Sequence, residues 1–448
     1  MAHAFAISAS NCFLDMMFMS MRGEQRRRET PHVPSLGDER SVGAAGSQGP
    51  GGRNSPGTCC DRPRFRLSSF YIFGDRPIFR LIFVLPCLVV VTRFLWPLQL
   101  PISVKCIATV ILFAASQYHY WSQLSSGSVF SPEFPRPVVI VFNWAFGAII
   151  LLAPMQLLLD VGTLIAMLIH GGGVSVPDGM RYWLGTVAAI LAAVGVQQAL
   201  RVPPLKDIEI GIRGLAPQFD GYTLLQLTDL HISRLFTAKW ARAVVERANS
   251  LGANLIVVTG DLIDGSLASR RGDVDPLRDL RAADGVYVIP GNHEYFFSYR
   301  AWMAHYAEMG MRVLENDHVV LDRGGGKLVL AGVTDLSASH TGHPARDLAS
   351  ALNGAPKGVP IVLLDHQPRA ARQAAELGVA LQLSGHTHGG MIIGLDRLAA
   401  RANAGYVSGR YDVDGMTLYV NNGTALWPGF ALRLGRPSEL TRITLRLA

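Results

Sequence analysis

The apolar positions divide the chain into two parts with different patterns. Up to residue 200 they form long and nearly uncharged runs, whereas from about residue 207 short apolar runs alternate with amphipathic segments. Each long run is close to the ~20 residues that a helix needs to cross a bilayer. This pattern predicts an all-α transmembrane region of about four helices over residues 76–202. The runs are 79–96, 102–120, 138–159 and 183–200.

The third run leaves two interpretations open. It continues past Asp160 to residue 169, so it predicts either one long tilted helix or two short ones. Buried helices of a soluble protein are the plainer alternative for any single run, but four such runs in succession argue against it. Aromatic residues lie at the ends of the runs, as they do at membrane interfaces. These residues are Trp96, Tyr118, Tyr120, Trp121, Tyr182 and Trp183.

The basic residues predict how the chain is oriented. Arginines cluster before the first apolar run, and such clusters stay on the cytoplasmic side. Four crossings would return the chain to the cytoplasm at Arg201 and Lys206. The expectation is therefore a multi-pass protein of the cell inner membrane, with its second half in the cytoplasm and the lipid bilayer as its partner.

Residues 1–75 are expected to form a disordered leader. The stretch 41–58 is rich in Gly, Ser and Pro and offers little to bury. Three arginines, at positions 26–28, follow the first apolar stretch rather than precede it. A secretory signal has the opposite order, so we do not expect one here.

The composition changes this picture little. Apolar residues make up 49% of the chain and charged residues 17%, which is apolar for a soluble enzyme, and the net charge is +7. No stripe of basic and aromatic residues runs through the second half, so no nucleic acid partner is predicted, and no pattern predicts a protein partner. All five cysteines precede residue 107, which excludes a disulfide or thiolate metal site in the second half.

The second part alternates between predicted strands and helices. Near-continuous apolar runs such as 255–259 and 361–364 are typical of strands buried on both faces. Alternation of this kind predicts an α/β fold over residues 207–448. The predicted strands are 222–228, 255–259, 286–289, 328–333, 361–364, 380–383, 418–420 and 443–447, and the clearest helix is 238–250.

Side chains that can bind metals follow five of these strands. Carboxylate, imidazole and amide oxygen are the ligands that divalent cations take in hydrolytic sites. A single such residue is more often a turn former or a satisfied polar residue. Five loops that all carry ligand chemistry are not explained in that way, and the i, i+2 spacing of Asp229 with His231 and of His386 with His388 suggests strand ends. The motifs are Asp229-Leu-His231, Gly260-Asp261-Leu-Ile-Asp264, Gly291-Asn292-His293-Glu294, Asp365-His366 and Gly385-His386-Thr-His388.

This ordered set of motifs resembles the calcineurin-like metallophosphoesterase superfamily, and most closely its membrane-attached bacterial branch of the YaeI and YkuE type. The resemblance covers residue 222 to the end of the chain. It implies a four-layer αββα sandwich and two divalent metal ions, which could be manganese, iron or zinc. One ion would be held by Asp229, His231, Asp261 and His388, and the other by Asp261, Asn292, His366 and His386.

The resemblance also implies the catalytic residues and the reaction. His293 would face the substrate, oriented by Asp264, while a hydroxide activated by the two metals attacks phosphorus. The expected enzyme hydrolyses a phosphodiester or pyrophosphate bond, with a lipid substrate such as a UDP-diacylglucosamine-like compound or a phospholipid. Two alternatives remain: a broad phosphodiesterase or phosphatase for soluble substrates, tethered by its helices, and a non-catalytic membrane sensor of metal or phosphate.

Overall fold

The computed structural model describes residues 77–448. The expected leader, 1–75, lies outside the described residues. The described chain begins with a helical region. Its helices are α1 (Pro77–Val89), which continues as the π-helical segment Val90–Leu95, α2 (Ile102–Ser116), α3 (Tyr118–Ser126), α4 (Arg136–His170) and α5 (Asp178–Leu200).

Two of these helices, α4 and α5, are long and apolar enough to cross a membrane. Helices α2 and α3 make a third candidate only if they are counted as one span broken by a 55° bend. The third apolar run of the sequence is one helix of 35 residues, with Pro154 inside it. An apolar helical region is thus confirmed, while the count of four crossings stays a prediction.

The second half forms two mixed six-stranded sheets. Their orders are β1-β12-β2-β3-β4-β5 and β10-β11-β9-β8-β7-β6. The strands are β1 (Leu205–Ile212), β2 (Thr223–Leu227), β3 (Leu255–Thr259), β4 (Val286–Ile289), β5 (Arg312–Val313), β6 (Asp317–Arg323), β7 (Gly326–Gly332), β8 (Ile361–Leu364), β9 (Leu381–Ser384), β10 (Gly409–Val413), β11 (Met416–Val420) and β12 (Leu440–Leu447). The helices among them are α6 (Ala238–Ser250), α7 (Leu267–Val274), α8 (Asn292–Phe296), α9 (Tyr299–Glu308), α10 (Leu348–Ala351), α11 (Ala371–Glu376) and α12 (Asp396–Ala402).

The two sheets share one apolar core. Leu224 and Val257 of the first sheet and Val362 and Leu383 of the second belong to the same buried cluster, and none of the four is exposed. Burial of both faces explains why the first four of the five residues of β3 are apolar. The mixed α/β sheets are confirmed, and the four-layer count stays a prediction.

Sequence reasoning missed four strands, and these are the four edges of the two sheets. They are β1, β5, β6 and β10. An edge strand buries less of its surface, so the apolar run that marks a central strand is broken by charges. In β1, for example, Lys206, Asp207 and Glu209 alternate with apolar residues. This strand pairs in parallel with β12 from Leu205 onward.

The helical region is packed tightly against the second half. Leu432 lies between two helix glycines: a Cβ atom on Gly147 would come 2.5 Å from its Cδ1 atom, and one on Gly195 would come 2.7 Å from its Cγ atom. Asn143 of α4 donates to the carbonyl of Pro428 at 2.8 Å and accepts from the backbone N–H of Ala431 at 2.6 Å. The helices therefore form part of the same folded body as the sheets.

Candidate metal centre and active site

The predicted site residues lie beyond the carboxyl ends of neighbouring central strands. Asp229 follows β2, Asp261 follows β3 and Asn292 follows β4, while His366 and His386 follow β8 and β9 of the other sheet. Open α/β sheets bind ligands at such edges. The two sheets thus bring loops that are up to 157 residues apart in sequence to one place.

Three overlapping groups of side chains in the described residues have the spacing of metal ligands. They are Asp229 with His231 and His388, His231 with Asp261 and His293, and Asp261 with His366 and His386. Within each group the candidate ligand atoms lie within 4.8 Å of one another. Asp261 links two of the groups, as a carboxylate shared by two cations would.

Individual distances support this arrangement. His366 Nε2 lies 3.2 Å from Asp261 Oδ2 and 3.1 Å from Asn292 Oδ1. His388 Nε2 lies 3.7 Å from Asp229 Oδ1 and 3.2 Å from His231 Nε2. All seven predicted metal ligands therefore lie together.

The donor set fits divalent cations. His231 Nδ1 lies 3.0 Å from Asp264 Oδ2, and its Nε2 atom lies 3.2 Å from His388 Nε2. Two imidazole nitrogens that face each other at this distance can bind one cation between them. Buried carboxylates, imidazoles and one amide oxygen are ligands for manganese, iron or zinc.

The backbone of the site is strained, which corrects the sequence interpretation. The i, i+2 pairs do not lie on strand ends, because β2 ends at Leu227 and β9 at Ser384. The ligand residues adopt left-handed conformations, which cost about 1–3 kcal/mol each in non-glycine residues. These residues, with their φ angles, are Asp229 (52°), His231 (44°), Asp261 (54°), His386 (69°) and His388 (50°).

Two glycines are required by the close approach of the carboxylates. A Cβ atom on Gly291 would lie 2.2 Å from Asp261 Oδ1, and one on Gly385 would lie 2.4 Å from Asp229 Oδ2. No side chain fits at those distances. The glycines of these motifs therefore make room for the ligands beside them.

Glu294 is a buried residue of the candidate site to which sequence reasoning assigned no role. Its buried carboxylate accepts from the backbone N–H groups of Asp261 at 3.1 Å, Leu262 at 2.8 Å and Gly291 at 2.7 Å. It also accepts from the hydroxyl of Tyr306 at 3.1 Å. Glu294 therefore ties the Asp261 loop to the Asn292 loop, and its place beside His293 was the available signal.

His293 lies at the edge of this centre and shares Asp264 with His231. Its Nδ1 atom is 2.5 Å from Asp264 Oδ1, and its Nε2 atom is 3.9 Å from Asp261 Oδ2. Burial lowers the pKa of His293, but the carboxylates of Asp261 and Asp264 outweigh burial and raise the pKa to about 9. The contact of Nδ1 with Asp264 leaves Nε2 as the ring nitrogen that can meet a substrate.

The helical region also contributes to this site, which the sequence did not predict. Phe130, in the segment between α3 and α4, stacks on Phe296 with ring centroids 4.8 Å apart. The Phe130 ring centroid also lies 5.3 Å from that of His293, in an edge-to-face arrangement, and 5.6 Å from that of Trp427. These half-buried aromatic rings form a wall beside His293.

Comparison with known proteins agrees with the geometry. Residues 222–390 match the family model described as calcineurin-like phosphoesterase. The chain is also 31% identical over 235 residues to the metallophosphoesterase YkuE of Bacillus subtilis, and the match covers 51% of this chain and 80% of that one. The chain belongs to the calcineurin-like phosphoesterase family. This family comprises metal-dependent phosphoester hydrolases.

Two animal members of the calcineurin-like phosphoesterase family are also similar to the chain. A protein of Danio rerio named "Transmembrane protein with metallophosphoesterase domain" is 33% identical over 271 residues, which is 58% of this chain and 62% of that one. The protein of the same name from Bos taurus is 34% identical over 275 residues, with 58% and 61% covered. The chain therefore spans about three fifths of the length of these relatives. Animal and bacterial members match at similar identity, so the bacterial branch stays a prediction.

Proposed function

We propose that this protein is a membrane-anchored phosphoesterase that hydrolyses a phosphodiester or pyrophosphate bond of a lipid. The observation that carries the lipid substrate is the contact between Phe130 of the helical region and His293 of the site. When the phosphate of a lipid substrate reaches His293, the apolar part of the same molecule would lie along the helices at the bilayer. The proposal favours a UDP-diacylglucosamine-like compound or a phospholipid.

The proposed ligand sets follow the observed distances. Asp229, His231, Asp261 and His388 would hold one divalent cation. A second would be held by the four residues Asp261, Asn292, His366 and His386. Bound cations of this kind act as Lewis acids and lower the pKa of coordinated water, which supplies a nucleophile near neutral pH.

The residues around the substrate would have separate roles. His293 Nε2 would donate to a phosphoryl oxygen or to the leaving oxygen, and its position at the edge of the ligand groups, 3.9 Å from Asp261 Oδ2, supports this role. Asp264 would fix the ring by accepting from Nδ1. Such preorganised donors stabilise the charge that develops in the transition state.

The arrangement of the helices supports an even number of membrane crossings. The backbone N–H of Gln99, after α1, donates to Asp178 at the start of α5, at 3.0 Å. In the middle of α1, Phe83 stacks on His119 with ring centroids 4.3 Å apart, and the His119 ring lies 5.6 Å from that of Trp427. The chain from Phe83 to Gln99 thus runs from the side of the helical region that carries the site to the opposite side. We propose that the start of α1 and the site are both cytoplasmic and that the membrane is the inner one.

The experiment compares lipid and soluble substrates of the full chain in nanodiscs loaded with Mn²⁺. Turnover of a lipid pyrophosphate should exceed turnover of bis-nitrophenyl phosphate or a cyclic nucleotide. Phe130→Ala should lower turnover of the lipid more than turnover of the nitrophenyl ester. Phe134→Ala is the matched control, because Phe134 packs on Phe142 within the helical region.

Each outcome separates the proposals. Equal effects of Phe130→Ala on both substrates would favour a soluble substrate with the helices as a tether. Metal and phosphate binding without hydrolysis of any ester would indicate a sensor and would end the enzymatic proposal.

A further inference from the structure

The segment that joins α3 to α4, residues 127–135, contacts the loop that carries Asp264. Ser131 is 2% exposed, and its hydroxyl donates to the backbone carbonyl of Asp264 at 3.1 Å. The carboxylate of Asp264, on the same residue, engages both His231 and His293. One hydrogen bond therefore connects the helical region to the residue that orients two histidines of the site.

A buried arginine strengthens this connection. Arg270 has no exposed side-chain surface, and its Nε atom donates to the same carbonyl of Asp264 at 2.9 Å. Its guanidinium forms an ion pair with Glu133 of the joining segment. Its other acidic partner is Asp273 of its own helix, at 3.5 Å. A buried guanidinium requires such partners, so Glu133 supports the position of Arg270.

The contact leaves little freedom in the loop. A Cβ atom on Gly265, next to Asp264, would lie 3.0 Å from Arg270 Nε and 3.1 Å from Ser131 Oγ. Glu133 also accepts from Arg234 at 2.7 Å, and Arg136 donates to the carbonyl of Leu235 at 2.9 Å. The joining segment therefore contacts the loops after β2 and β3, both of which carry predicted ligands.

We infer that Ser131 and Glu133 are positioning residues for the site: they fix the Asp264 carbonyl and thereby the imidazole of His293. Neither residue touches the substrate. The inference rests on the proposed phosphoesterase function. It assigns the helical region a role in positioning the catalytic groups of the active site. Small displacements of catalytic groups lower rates strongly, so a loosened contact should be visible in kcat.

The test measures kcat and KM of the full chain in nanodiscs for Ser131→Ala and Glu133→Gln. Ser131→Ala should lower kcat/KM about fivefold, the equivalent of one neutral hydrogen bond. Glu133→Gln should lower kcat about tenfold, because it leaves the buried guanidinium undercompensated. Ser131→Thr keeps the hydroxyl and should recover the rate of the parent protein.

Ser126→Ala is the matched control. The Ser126 hydroxyl bonds to the carbonyls of Ser122 and Ser128 and accepts from the backbone N–H of Ser128, all within the same part of the chain. Its kcat should equal that of the parent. Rates of Ser131→Ala and Glu133→Gln within twofold of this control would overturn the inference. So would losses that Ser131→Thr does not recover and that follow the melting temperature.

A second measurement separates this inference from the proposed function. Inorganic phosphate is titrated calorimetrically into the metal-loaded parent and variants. Weaker phosphate binding by Ser131→Ala and Glu133→Gln, but not by Ser126→Ala, would support positioning even if the parent hydrolyses no ester. In that case the proposed function would fail while the inference stands. Equal phosphate affinities in all four proteins would contradict the inference, whatever the parent hydrolyses.

Discussion

The site loops and the helical region differ in how deeply their charged side chains are buried. In the site, Asp229, Asp261 and Asp264 are each at most 1% exposed and lie among histidines. In the helical region the ion pair between Arg93 and Asp160, at 2.8 Å, leaves Arg93 59% exposed. The first arrangement concentrates buried charge, which is costly unless it is compensated. The second disperses charge along an apolar surface.

This difference in charge burial indicates which region of the molecule holds the functional groups. A protein keeps buried carboxylates on strained backbone only where many surrounding contacts hold that backbone in place. Such places are typically functional sites. The helical region carries no comparable group of candidate metal ligands among the described residues. Its contribution to the site is made instead by a short segment between two helices.

The strongest test of the comparison removes the shared carboxylate of the site. Asp261→Asn should lower hydrolysis about a thousandfold, because loss of a charge shared by two cations costs several kcal/mol of transition-state stabilisation. The bound metal, measured by plasma mass spectrometry, should fall from two ions per chain.

Asp365→Asn is the control for this substitution. Asp365 is an equally buried carboxylate next to His366, but it pairs with Arg346 at 2.9 Å and belongs to none of the candidate metal groups. It should lower the melting temperature without lowering the metal content. Full metal content in Asp261→Asn would contradict the shared-ligand assignment.

The sequence predicted the part of the fold that local patterns encode. All eight strands proposed from apolar runs are present, and helix α6 has the predicted bounds. The four edge strands were missed, because half-exposed strands lack a continuous apolar run. The candidate site residues were predicted from short motifs, since each motif carries its own ligand chemistry, and the structure brings their side chains together.

Contacts between distant segments could not be predicted. Ser131 and Asp264 are 133 residues apart, and nothing in the local pattern around Ser131 distinguishes it from other serines of the segment. The left-handed backbone of Asp229 and His388 is likewise imposed by packing rather than by propensity. Their spacing suggested strand ends, which was wrong, although the convergence of their side chains was correctly expected.

An intermediate effect should follow from disturbing the contact between the two regions. Gly195→Ala in α5 would place a Cβ atom 2.7 Å from Leu432 Cγ, next to Arg433. Arg433 donates to the carbonyl of His388 at 3.1 Å, so displacement at Leu432 can reach a predicted ligand. Hydrolysis should fall about tenfold. The double variant Gly195→Ala/Leu432→Ala restores space and should recover part of the rate.

Gly162→Ala in α4 is the control, because a Cβ atom there would meet nothing within 4 Å. Alanine is the better helix former, so this variant should be at least as stable as the parent. If Gly195→Ala and Gly162→Ala both keep the parent rate, the packing of the helical region does not affect catalysis at the site. The two regions would then differ in function as well as in how they bury charge.

The smallest effect is expected at the ion pair of the helical region. Asp160 accepts from Arg93 and, at 2.9 Å, from Gln156 one turn earlier in α4. Asp160→Asn leaves Arg93 without its charged partner in apolar surroundings, so the melting temperature in detergent should fall by about 2–4 °C. Arg93→Gln/Asp160→Asn removes both charges and should regain most of that loss. Hydrolysis should stay within twofold of the parent in both variants, because this pair lies in the helical region and touches none of the site residues. A fall in rate as large as that of Gly195→Ala would mean that charge in the helices acts on catalysis, and the contrast between the two regions would fail.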